Sequence, residues 1–287
     1  MNCTICNSGN TEVKFHKNEY KILRCTSCSH VFTDFTPTPE EVEQIYSDDY
    51  FFKGGAGYED YTLEKNMLIK RGAYYAEKVS HYLPAGNLLD AGCACGFILK
   101  GFIDNGWTGV GIEPNATMVR YAQDELHLPV FQGTLENNSI DGQFDLIVLI
   151  QVMAHFYDLH KDMDQIKRML KPGGHILVET WNEASFTAKI FGKNWHEYSP
   201  PGTLNYFSRK SLRDLFGRHG FKLVTQGYPK KHIHSKHARS LIRHKLSESK
   251  SLSWLSGIYK LIPKNMLIRY PSEDLFWALY TKPADYV

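Results

Sequence analysis

A ten-residue run in the first third of the chain constrains the fold more than any other part of the sequence. Positions 87–96 read Asn-Leu-Leu-Asp-Ala-Gly-Cys-Ala-Cys-Gly, and a helix-like apolar stretch follows at 97–102. A strand that turns sharply into a helix is typical of parallel α/β proteins, and the free N–H groups there form a seat for a nucleotide-like ligand. Gly92 and Gly96 suit this turn because a side chain would block the ligand or force a disfavoured backbone angle.

Strand-like and helix-like patterns alternate after this turn, which predicts right-handed βαβ units and a parallel sheet covered on both faces. The predicted strands are 88–91, 109–113, 130–132, 144–150 and 175–179, and the predicted helices are 97–105, 116–126, 159–170 and 208–219. The last two predicted strands, 221–228 and 275–281, have no parallel crossover between them and suit an antiparallel edge. The fold class is therefore α/β, a Rossmann-like, doubly wound and mostly parallel sheet.

Residues 37–85 precede the sheet and have a helical pattern. Thr38 is followed by Pro39 and two glutamates, which is typical of a capped helix start. An aromatic, glycine-rich loop occupies 50–58, and a long amphipathic stretch runs from 63 to 82. We predict a helical lead-in that also forms a lid over the bound ligand.

Two Cys-x-x-Cys pairs, separated by eighteen residues, open the chain. Each pair points two thiolates at one spot, and two pairs complete a tetrahedral Zn²⁺ shell. The predicted ligands are Cys3, Cys6, Cys25 and Cys28. A module of about forty residues has too small a core to fold alone, so the metal would stabilise it. Because four thiolates close the shell, we predict structural zinc in a zinc-ribbon-like module rather than a redox or catalytic centre.

Composition narrows the location and the partners. The chain has 287 residues, 43% hydrophobic, with a formal net charge of +2, which by itself does not indicate nucleic acid. The first residues lack the pattern of a signal peptide, and we find no apolar run long enough to cross a membrane. The six cysteines fall into three close pairs, which favours metal binding in a reducing compartment. We predict a cytoplasmic protein.

The glycine turn does not fit the G-x-G-x-x-G fingerprint of nicotinamide-binding proteins, because Ala94 replaces a glycine and no third glycine follows in place. Residues 89–96 instead resemble the first motif of class I S-adenosylmethionine-dependent methyltransferases. Residues 111–114, Gly-Ile-Glu-Pro, resemble that family's ribose-binding motif. Residues 144–147 and 170–177 are similar to its fourth strand and to the turn into its fifth. The resemblance covers about 86–228 and implies a seven-stranded sheet with an antiparallel last strand.

The same resemblance implies where S-adenosylmethionine would bind. The implied residues are Asp90, Gly92, Cys93, Gly96, Glu113, Pro114, Thr134, Leu135, Glu136, Gln151 and Val152. The aspartate that this family usually carries after its third strand is missing. The family usually has glycine at position 94, and because alanine favours ordinary backbone angles, we predict a negative φ at Ala94.

Methyl transfer from a sulfonium requires the nucleophile, the methyl carbon and the sulfur in line, so much of the rate can come from positioning. A base is needed only if the acceptor loses a proton. We rank His155 and His196 as candidate bases, with Glu197 as an orienting group and Tyr198 as a hydrogen-bond partner of the acceptor. Packing at a helix start is an equally weighted alternative for His155, and neighbouring residues such as His196 and Glu197 rarely face each other on a strand.

The segment 195–208 resembles the one that closes over the acceptor in zinc-ribbon-bearing small-molecule methyltransferases, including sugar C-methyltransferases. A histidine of many relatives is replaced here by Thr203. Further on, residues 230–245 are strongly basic and are followed by apolar residues at helical spacing, which predicts an inserted helical cap. A solvated helix face, a nucleic-acid or lipid surface, and a pocket for an anionic substrate are the three alternatives.

These patterns predict five segments: a zinc-ribbon-like module at 1–36, the lead-in and lid at 37–85, the core at 86–228, the basic cap at 229–270 and the last core strand at 271–287. The predicted activity is methyl transfer to oxygen or carbon of a sugar or natural-product intermediate, including phosphate- or carrier-linked ones. An RNA methyltransferase is one alternative, although residues 150–153 lack the signature of enzymes that methylate base amino groups. A non-catalytic S-adenosylmethionine-binding protein is the other. The acceptor and the oligomeric state stay open.

Overall fold

The computed structural model of the chain describes residues 1–52, 60–137, 140–229, 231–234, 267–270 and 273–284. The described strands, numbered in chain order, are β1 (Thr11–Lys17), β2 (Tyr20–Cys25), β3 (Val31–Thr33), β4 (Asn87–Ala91), β5 (Thr108–Glu113), β6 (Val130–Gln132), β7 (Phe144–Ile150), β8 (Leu170–Trp181), β9 (Asn205–Tyr206), β10 (Lys222–Gly227), β11 (Lys231–His234), β12 (Leu267–Tyr270) and β13 (Leu275–Thr281). The described α-helices are α1 (Pro39–Ile45), α2 (Asp48–Phe52), α3 (Lys65–Ser80), α4 (Phe97–Ile103), α5 (Ala116–Leu126), α6 (Leu159–Met169), α7 (Phe186–Phe191) and α8 (Arg209–Arg218). Short 3₁₀ turns lie at Tyr61–Glu64, Met153–His155 and Gly192–Asn194.

Seven strands form one sheet in the order β10-β13-β8-β7-β4-β5-β6. The pairs β8–β7, β7–β4, β4–β5 and β5–β6 are parallel, whereas β13 is antiparallel to both β8 and β10. The Rossmann-like α/β class and the antiparallel last strand are therefore confirmed. Strand β8 begins at Leu170, five residues before the start that the pattern predicts, because Leu170 already pairs with Phe144 across an irregular register.

The helices begin where the local sequence can satisfy their unpaired N–H groups. The Thr38 hydroxyl accepts from the Glu41 N–H, and the Glu41 carboxylate accepts from the Thr38 N–H, so α1 starts with a complete capping box. Asn115 caps α5 in a similar way by accepting from the Met118 N–H at 2.9 Å. The capped start predicted at Thr38 is confirmed.

A second sheet, of order β1-β2-β3-β9, lies in the N-terminal part of the chain. Strands β1 and β2 form a small antiparallel hairpin that ends at Cys25. Its fourth strand, β9, comes from far along the chain, with Val31 opposite Tyr206. The cysteine-bearing module is therefore joined by backbone pairing to the segment that follows β8.

The described chain divides into two compact units, Met1–Gly227 with Asp274–Val287 and Tyr228–Glu273. In the second unit, β11 and β12 pair antiparallel, with Lys231 opposite Tyr270. Most of the helical cap predicted at 229–270 lies outside the described residues. The two described ends of that segment are strands rather than helices.

Helices α3 and α4 approach each other through glycine. A Cβ built on Gly101 would lie 2.3 Å from the Ile69 carbonyl oxygen and 2.7 Å from the Gly72 Cα. A Cβ built on Gly72 would lie 2.3 Å from the Ile98 carbonyl oxygen. Only hydrogen atoms fit at this crossing, so the pair sets the position of α3 against the helix that follows the glycine turn.

We expect Gly101→Ala to lower the free energy of unfolding by about 2–3 kcal/mol, because the added methyl forces α3 away from α4. Urea denaturation followed by circular dichroism measures this loss. Gly217→Ala is the matched control, since a Cβ there would meet no atom within 4 Å. We expect this variant to raise the free energy of unfolding by about 0.5–1 kcal/mol, because alanine stabilises α8 relative to glycine. Equal stability of the two variants would contradict the close packing of α3 on α4.

Candidate functional site

The turn between β4 and α4 is built around two left-handed glycines. Gly92 and Gly96 have φ of +72° and +73°. The N–H groups of Gly92 and Cys93 both donate to the Ile112 carbonyl, at 2.8 and 3.1 Å, which fastens the turn to β5. A Cβ built on Gly92 would lie 2.8 Å from both methyl groups of Val152. Val152 therefore leaves no room for a side chain at Gly92, and we call this close turn the Gly92 cradle.

The structure corrects the prediction for Ala94, whose φ is +46° instead of negative. The reason is a hydrogen bond: the Ala94 N–H donates to the Glu113 carboxylate at 2.9 Å, and this contact holds the left-handed conformation. For a residue with a Cβ, that conformation costs roughly 1–2 kcal/mol. The tertiary contact therefore outweighs the local preference of alanine.

Two buried carboxyl groups, Asp90 and Glu113, lie at the ends of the neighbouring strands β4 and β5. Glu113 accepts from the Ala94 N–H through Oε2 and from the Asn115 N–H, at 3.0 Å, through Oε1. Burial raises the pKa of Glu113 to about 7, and the two backbone N–H groups only partly oppose it. Each Glu113 oxygen can accept a further hydrogen bond, as a ribose with two adjacent hydroxyls requires.

Asp90 carries an unsatisfied oxygen. Its carboxyl accepts from the Leu99 N–H in the first turn of α4, while its buried Oδ2 has no hydrogen-bond partner among the described residues. Burial raises the pKa of Asp90 to about 7, and the nearby Glu113 adds to this shift. A buried polar atom without a partner is rare in folded proteins and points to a ligand. The Gly92 cradle and these two carboxyls together fit an adenosyl ligand that carries a cationic sulfonium.

The segment after β6 holds three of the residues implied for S-adenosylmethionine binding, Thr134, Leu135 and Glu136. Leu135 is buried, and the Glu136 carboxylate accepts from the Tyr157 hydroxyl and lies 3.4 Å from the Lys161 ammonium. Burial, together with the nearby Glu136, raises the pKa of Asp162 to about 8. The acid that the family usually places here is absent from the sequence position, but Glu136 brings a carboxylate to the same loop.

A buried carboxylate that the sequence reasoning did not single out, Glu179, lies near the end of β8. It accepts hydrogen bonds from Arg71 and Tyr75, one turn apart on α3, and from the Gln151 side chain at 3.0 Å. The Gln151 N–H also donates to the Glu179 carbonyl at 2.8 Å, and Gln151 has a φ of +59°. Glu179 therefore fixes both α3 and Gln151, one of the residues implied for donor binding. An acid inside an apolar strand was the signal available in the sequence.

His155 ends the 3₁₀ turn after β7. Its Nδ1 donates to the Gly202 carbonyl at 2.6 Å, because a carbonyl oxygen can only accept. In the neutral ring Nε2 is then the basic nitrogen. Burial lowers the pKa of His155, and the carbonyl groups of Gly202 and Gln151 oppose this only in part. The rings of Tyr46 and Tyr50 pack edge-on against the imidazole, with centroids 5.7 and 6.3 Å away.

The lead-in segment is tied to these residues by hydrogen bonds. The Tyr46 hydroxyl donates to the Gly202 carbonyl at 2.9 Å, beside His155. The Asn115 side chain donates to the Tyr46 carbonyl and to the Asp48 carboxylate, both at 3.1 Å. Helices α1 and α2 therefore lie against both the turn after β5 and the turn that carries His155. Residues 53–59, in the predicted aromatic loop, lie outside the described residues.

The other candidate catalytic residues lie elsewhere along the segment after β8. His196 Nε2 lies 3.4 Å from Glu197 Oε1, so a turn brings together two neighbours that a strand would keep apart. The His196 ring packs against the Trp181 ring at 4.6 Å. The Tyr198 hydroxyl accepts from Lys14 at 2.9 Å and donates to Glu183 at 3.1 Å. Tyr198 is therefore bound to the N-terminal sheet, whereas His155 is bound to Gly202.

The four N-terminal cysteines converge. The sulfur atoms of Cys3, Cys6, Cys25 and Cys28 all lie within 4.8 Å of one another, with Cys3–Cys28 and Cys6–Cys25 at 3.5 Å. A tetrahedral zinc site with bonds of about 2.3 Å places its sulfurs about 3.8 Å apart. The donor set and the spacing both fit Zn²⁺. Cys93 and Cys95 are buried in the core, away from this set.

The family model for a methyltransferase domain matches residues 67–226, more than half of the chain. Among curated relatives, the ubiquinone biosynthesis O-methyltransferase of Rhodopseudomonas palustris is 30% identical over 146 residues, 48% of this chain and 58% of that protein. The bifunctional biotin-biosynthesis protein of Bordetella avium is 31% identical over 123 residues, 40% of this chain and 25% of that protein. The chain therefore spans less than two thirds of the length of these relatives.

Solved structures show the same fold at low sequence identity. An S-adenosylmethionine-dependent methyltransferase of Leishmania major has a TM-score of 0.52 and 16% identity, covering 84% of this chain and 81% of that one. One from Archaeoglobus fulgidus has a TM-score of 0.50 and 16% identity, covering 77% of this chain and 99% of that one.

Among the described helices, none combines the length and the apolar character needed to cross a membrane.

We expect Ala94→Gly to raise the free energy of unfolding of the ligand-free protein by about 1 kcal/mol, because glycine relieves the left-handed strain. Urea denaturation measures the gain. Ala73→Gly in the interior of α3 is the control and should lower stability by about 1 kcal/mol, since no positive φ is involved there. A loss of stability in Ala94→Gly would show that the turn carries no strain.

Proposed function

This chain belongs to the methyltransferase-domain family, and we propose that it is an S-adenosylmethionine-dependent enzyme that methylates an oxygen or a carbon of a small molecule. The observation that carries the donor side of the proposal is the pair of buried carboxyls, Asp90 and Glu113, beside the Gly92 cradle. Neighbouring strand ends at a parallel edge are where α/β proteins bind ligands.

The roles proposed on the donor side follow from these contacts. Glu113 accepts the ribose hydroxyls, and Gly92 with Cys93 forms the floor beneath the methionine end. Glu136 lies on the adenine side, while Gln151, held by Glu179, and Val152 lie on the sulfonium side. The negative charge of Asp90 and Glu113 favours a cationic donor over its neutral product. The bound donor supplies an electrophilic methyl group, and the chain supplies its orientation.

The acceptor side is proposed at the turn that carries His155. His155 Nε2 takes the acceptor's proton when the nucleophile is a hydroxyl, and its Nδ1–H stays on the Gly202 carbonyl. Tyr46 and Tyr50 pack on the imidazole and keep water from it. The neighbouring segment after β8 contributes His196, Glu197 and Tyr198. The Tyr198 hydroxyl is held there by its hydrogen bonds with Lys14 and Glu183.

The acceptor class is proposed from the relatives and the composition. A curated relative is named for O-methylation in ubiquinone biosynthesis, which supports a small acceptor with an ionisable hydroxyl. Of the basic residues 230–245, the structure describes only those of β11, Lys231–His234. A phosphate- or carrier-linked acceptor and a cytoplasmic location remain predictions from the sequence.

We further propose that Cys3, Cys6, Cys25 and Cys28 hold structural Zn²⁺. Four thiolates fill the tetrahedral shell, so the metal binds no substrate there. Its binding energy contributes to the folding of a hairpin that has little core of its own. The proposal rests on the convergence of four sulfurs from two turns.

Calorimetry with S-adenosylmethionine and its demethylated product tests the donor site. Glu113→Ala should weaken binding of both at least tenfold, because two ribose hydrogen bonds are lost. Glu125→Ala, an exposed acid on α5, is the control and should bind like the wild type. No binding by the folded wild-type chain would overturn the proposed function.

The donor affinity should also depend on pH. The carboxyl groups of Asp90 and Glu113 both have a pKa raised to about 7 in the ligand-free protein. They are therefore mostly charged above pH 7 and mostly protonated below it. Affinity is therefore fully present near pH 8 and falls as the pH drops through 7 toward 5.5. Calorimetry across this range measures the fall. An affinity independent of pH would mean that neither carboxylate contacts the donor.

Substitution of His155 tests the proposed base. With an acceptor identified by turnover, His155→Ala should lower kcat about 100-fold or more while leaving donor binding unchanged. The acid limb of the wild-type pH profile should lie below the usual histidine value, because burial lowers the pKa of His155 and activity is lost as the ring protonates. His81→Ala, at an exposed position, is the control. A loss confined to His196→Ala would assign the base to His196 instead.

Metal analysis tests the zinc proposal. The purified chain should contain one zinc, and Cys25→Ser should lose it together with several kcal/mol of stability, since an unfilled shell no longer stabilises the hairpin. Cys95→Ala removes a buried thiol outside the cluster and should keep the zinc. Retention of zinc by Cys25→Ser would count against the four-thiolate site.

A further inference from the structure

A short segment, residues 202–206, lies between the cysteine-bearing module and the turn that carries His155. We call it the 202–206 strap. It contains β9, the outer strand of the N-terminal sheet, and it bonds on both sides. The strap therefore connects the cysteine-bearing module to the turn that carries His155, so the position of the module can affect the position of that turn.

On its first side, the strap is paired with β3. Val31 lies opposite Tyr206 and Phe32 opposite Asn205. The Thr33 N–H donates to the Leu204 carbonyl at 2.8 Å, and the Thr33 hydroxyl donates to the Thr203 carbonyl at 3.0 Å. These bonds fix the strap to the N-terminal sheet.

On its other side, the strap holds the turn of His155 at three consecutive residues. The Leu204 N–H donates to the Ala154 carbonyl at 2.9 Å. The Gly202 carbonyl accepts from His155 Nδ1 at 2.6 Å, and the Asn205 side chain donates to the Phe156 carbonyl at 2.7 Å. These bonds fix the backbone on both sides of His155 and the tilt of its ring.

Asn205 is the residue that joins the two sides. Its Nδ2 serves Phe156, while its Oδ1 accepts from the Thr4 hydroxyl at 2.8 Å and faces His30 Nε2 at 3.3 Å. Thr4 lies between Cys3 and Cys6, inside the first cysteine turn. The orientation of the Asn205 amide is fixed because its oxygen faces two donors and its nitrogen faces a carbonyl acceptor. Asn205 is buried, so water is poorly placed to replace either bond.

We propose that Asn205 is a positioning residue for His155, and that its orientation is set by the Thr4 hydroxyl of the first cysteine turn. The N-terminal module then does more than add stability: it holds the imidazole at one place and one angle. This inference rests on the proposed role of His155, but the contact with Thr4 can be tested without any reaction.

The experiment compares Thr4→Val with Thr26→Val in the zinc-loaded full chain. Both threonines follow the first cysteine of a pair, and both variants replace one hydroxyl by a methyl. Thr26 donates to the Asn10 carbonyl at 3.1 Å, within the module, and so serves as the matched control. Thr4→Ser keeps the hydroxyl and serves as the conservative rescue.

The main readout is the pair of ring-nitrogen resonances of His155 in ¹⁵N-histidine-labelled protein, assigned by their loss in His155→Gln. We expect Thr4→Val to shift them, and Thr4→Ser and Thr26→Val to leave them in place. We also expect a three- to tenfold lower kcat in Thr4→Val, with donor affinity within twofold of the wild type and the zinc content unchanged.

The outcomes separate the two claims. Unshifted His155 resonances in Thr4→Val would overturn the positioning role of Asn205. Loss of zinc from Thr4→Val would also overturn it, because the hydroxyl would then act through the metal site. Shifted resonances with an unchanged kcat would support the positioning role and reject His155 as the base.

Discussion

The Glu113 carboxylate holds together the two turns that we propose bind the donor. It accepts from the Ala94 N–H of one turn and from the Asn115 N–H of the next, so it joins the loops that follow β4 and β5. Burial raises the pKa of Glu113 to about 7, so a ligand that brings hydroxyl donors and a nearby positive charge would stabilise its charged form. The strained φ of Ala94 follows from this contact.

A second buried carboxylate, Glu179, performs a similar task on the opposite side. Arg71 and Tyr75 bring α3 to it, and Gln151 brings the end of β7. Because Gly72 and Gly101 let α3 lie directly on α4, these bonds and that packing act on one helix. The position of α3 is thus set from two directions. In the proposed function, fixing α3 also fixes the lid segment relative to Gln151 on the sulfonium side.

The N-terminal module is joined to the acceptor side that we propose, because its sheet includes a strand from the segment after β8. Strand β9 pairs with β3, and the strap that contains β9 bonds to the residues around His155. Lys14 of β1 also reaches Tyr198 and Glu183 in the segment after β8. A module read from the sequence as a separate zinc ribbon is therefore built into the acceptor side that we propose.

The sequence by itself determined what depends on neighbours along the chain. The period of apolar residues gave the strand–helix alternation, the glycines gave the turn after β4, Thr38 gave a helix start, and the cysteine spacing indicated a four-thiolate cluster. Tertiary structure decided what depends on distant partners: the left-handed Ala94, the contacts of Glu179, the early start of β8 and the pairing of β9 with β3. Local propensity is worth about 1 kcal/mol per residue, so a buried hydrogen bond supplied from far along the chain can reverse it, and its partner is not visible in the sequence around it.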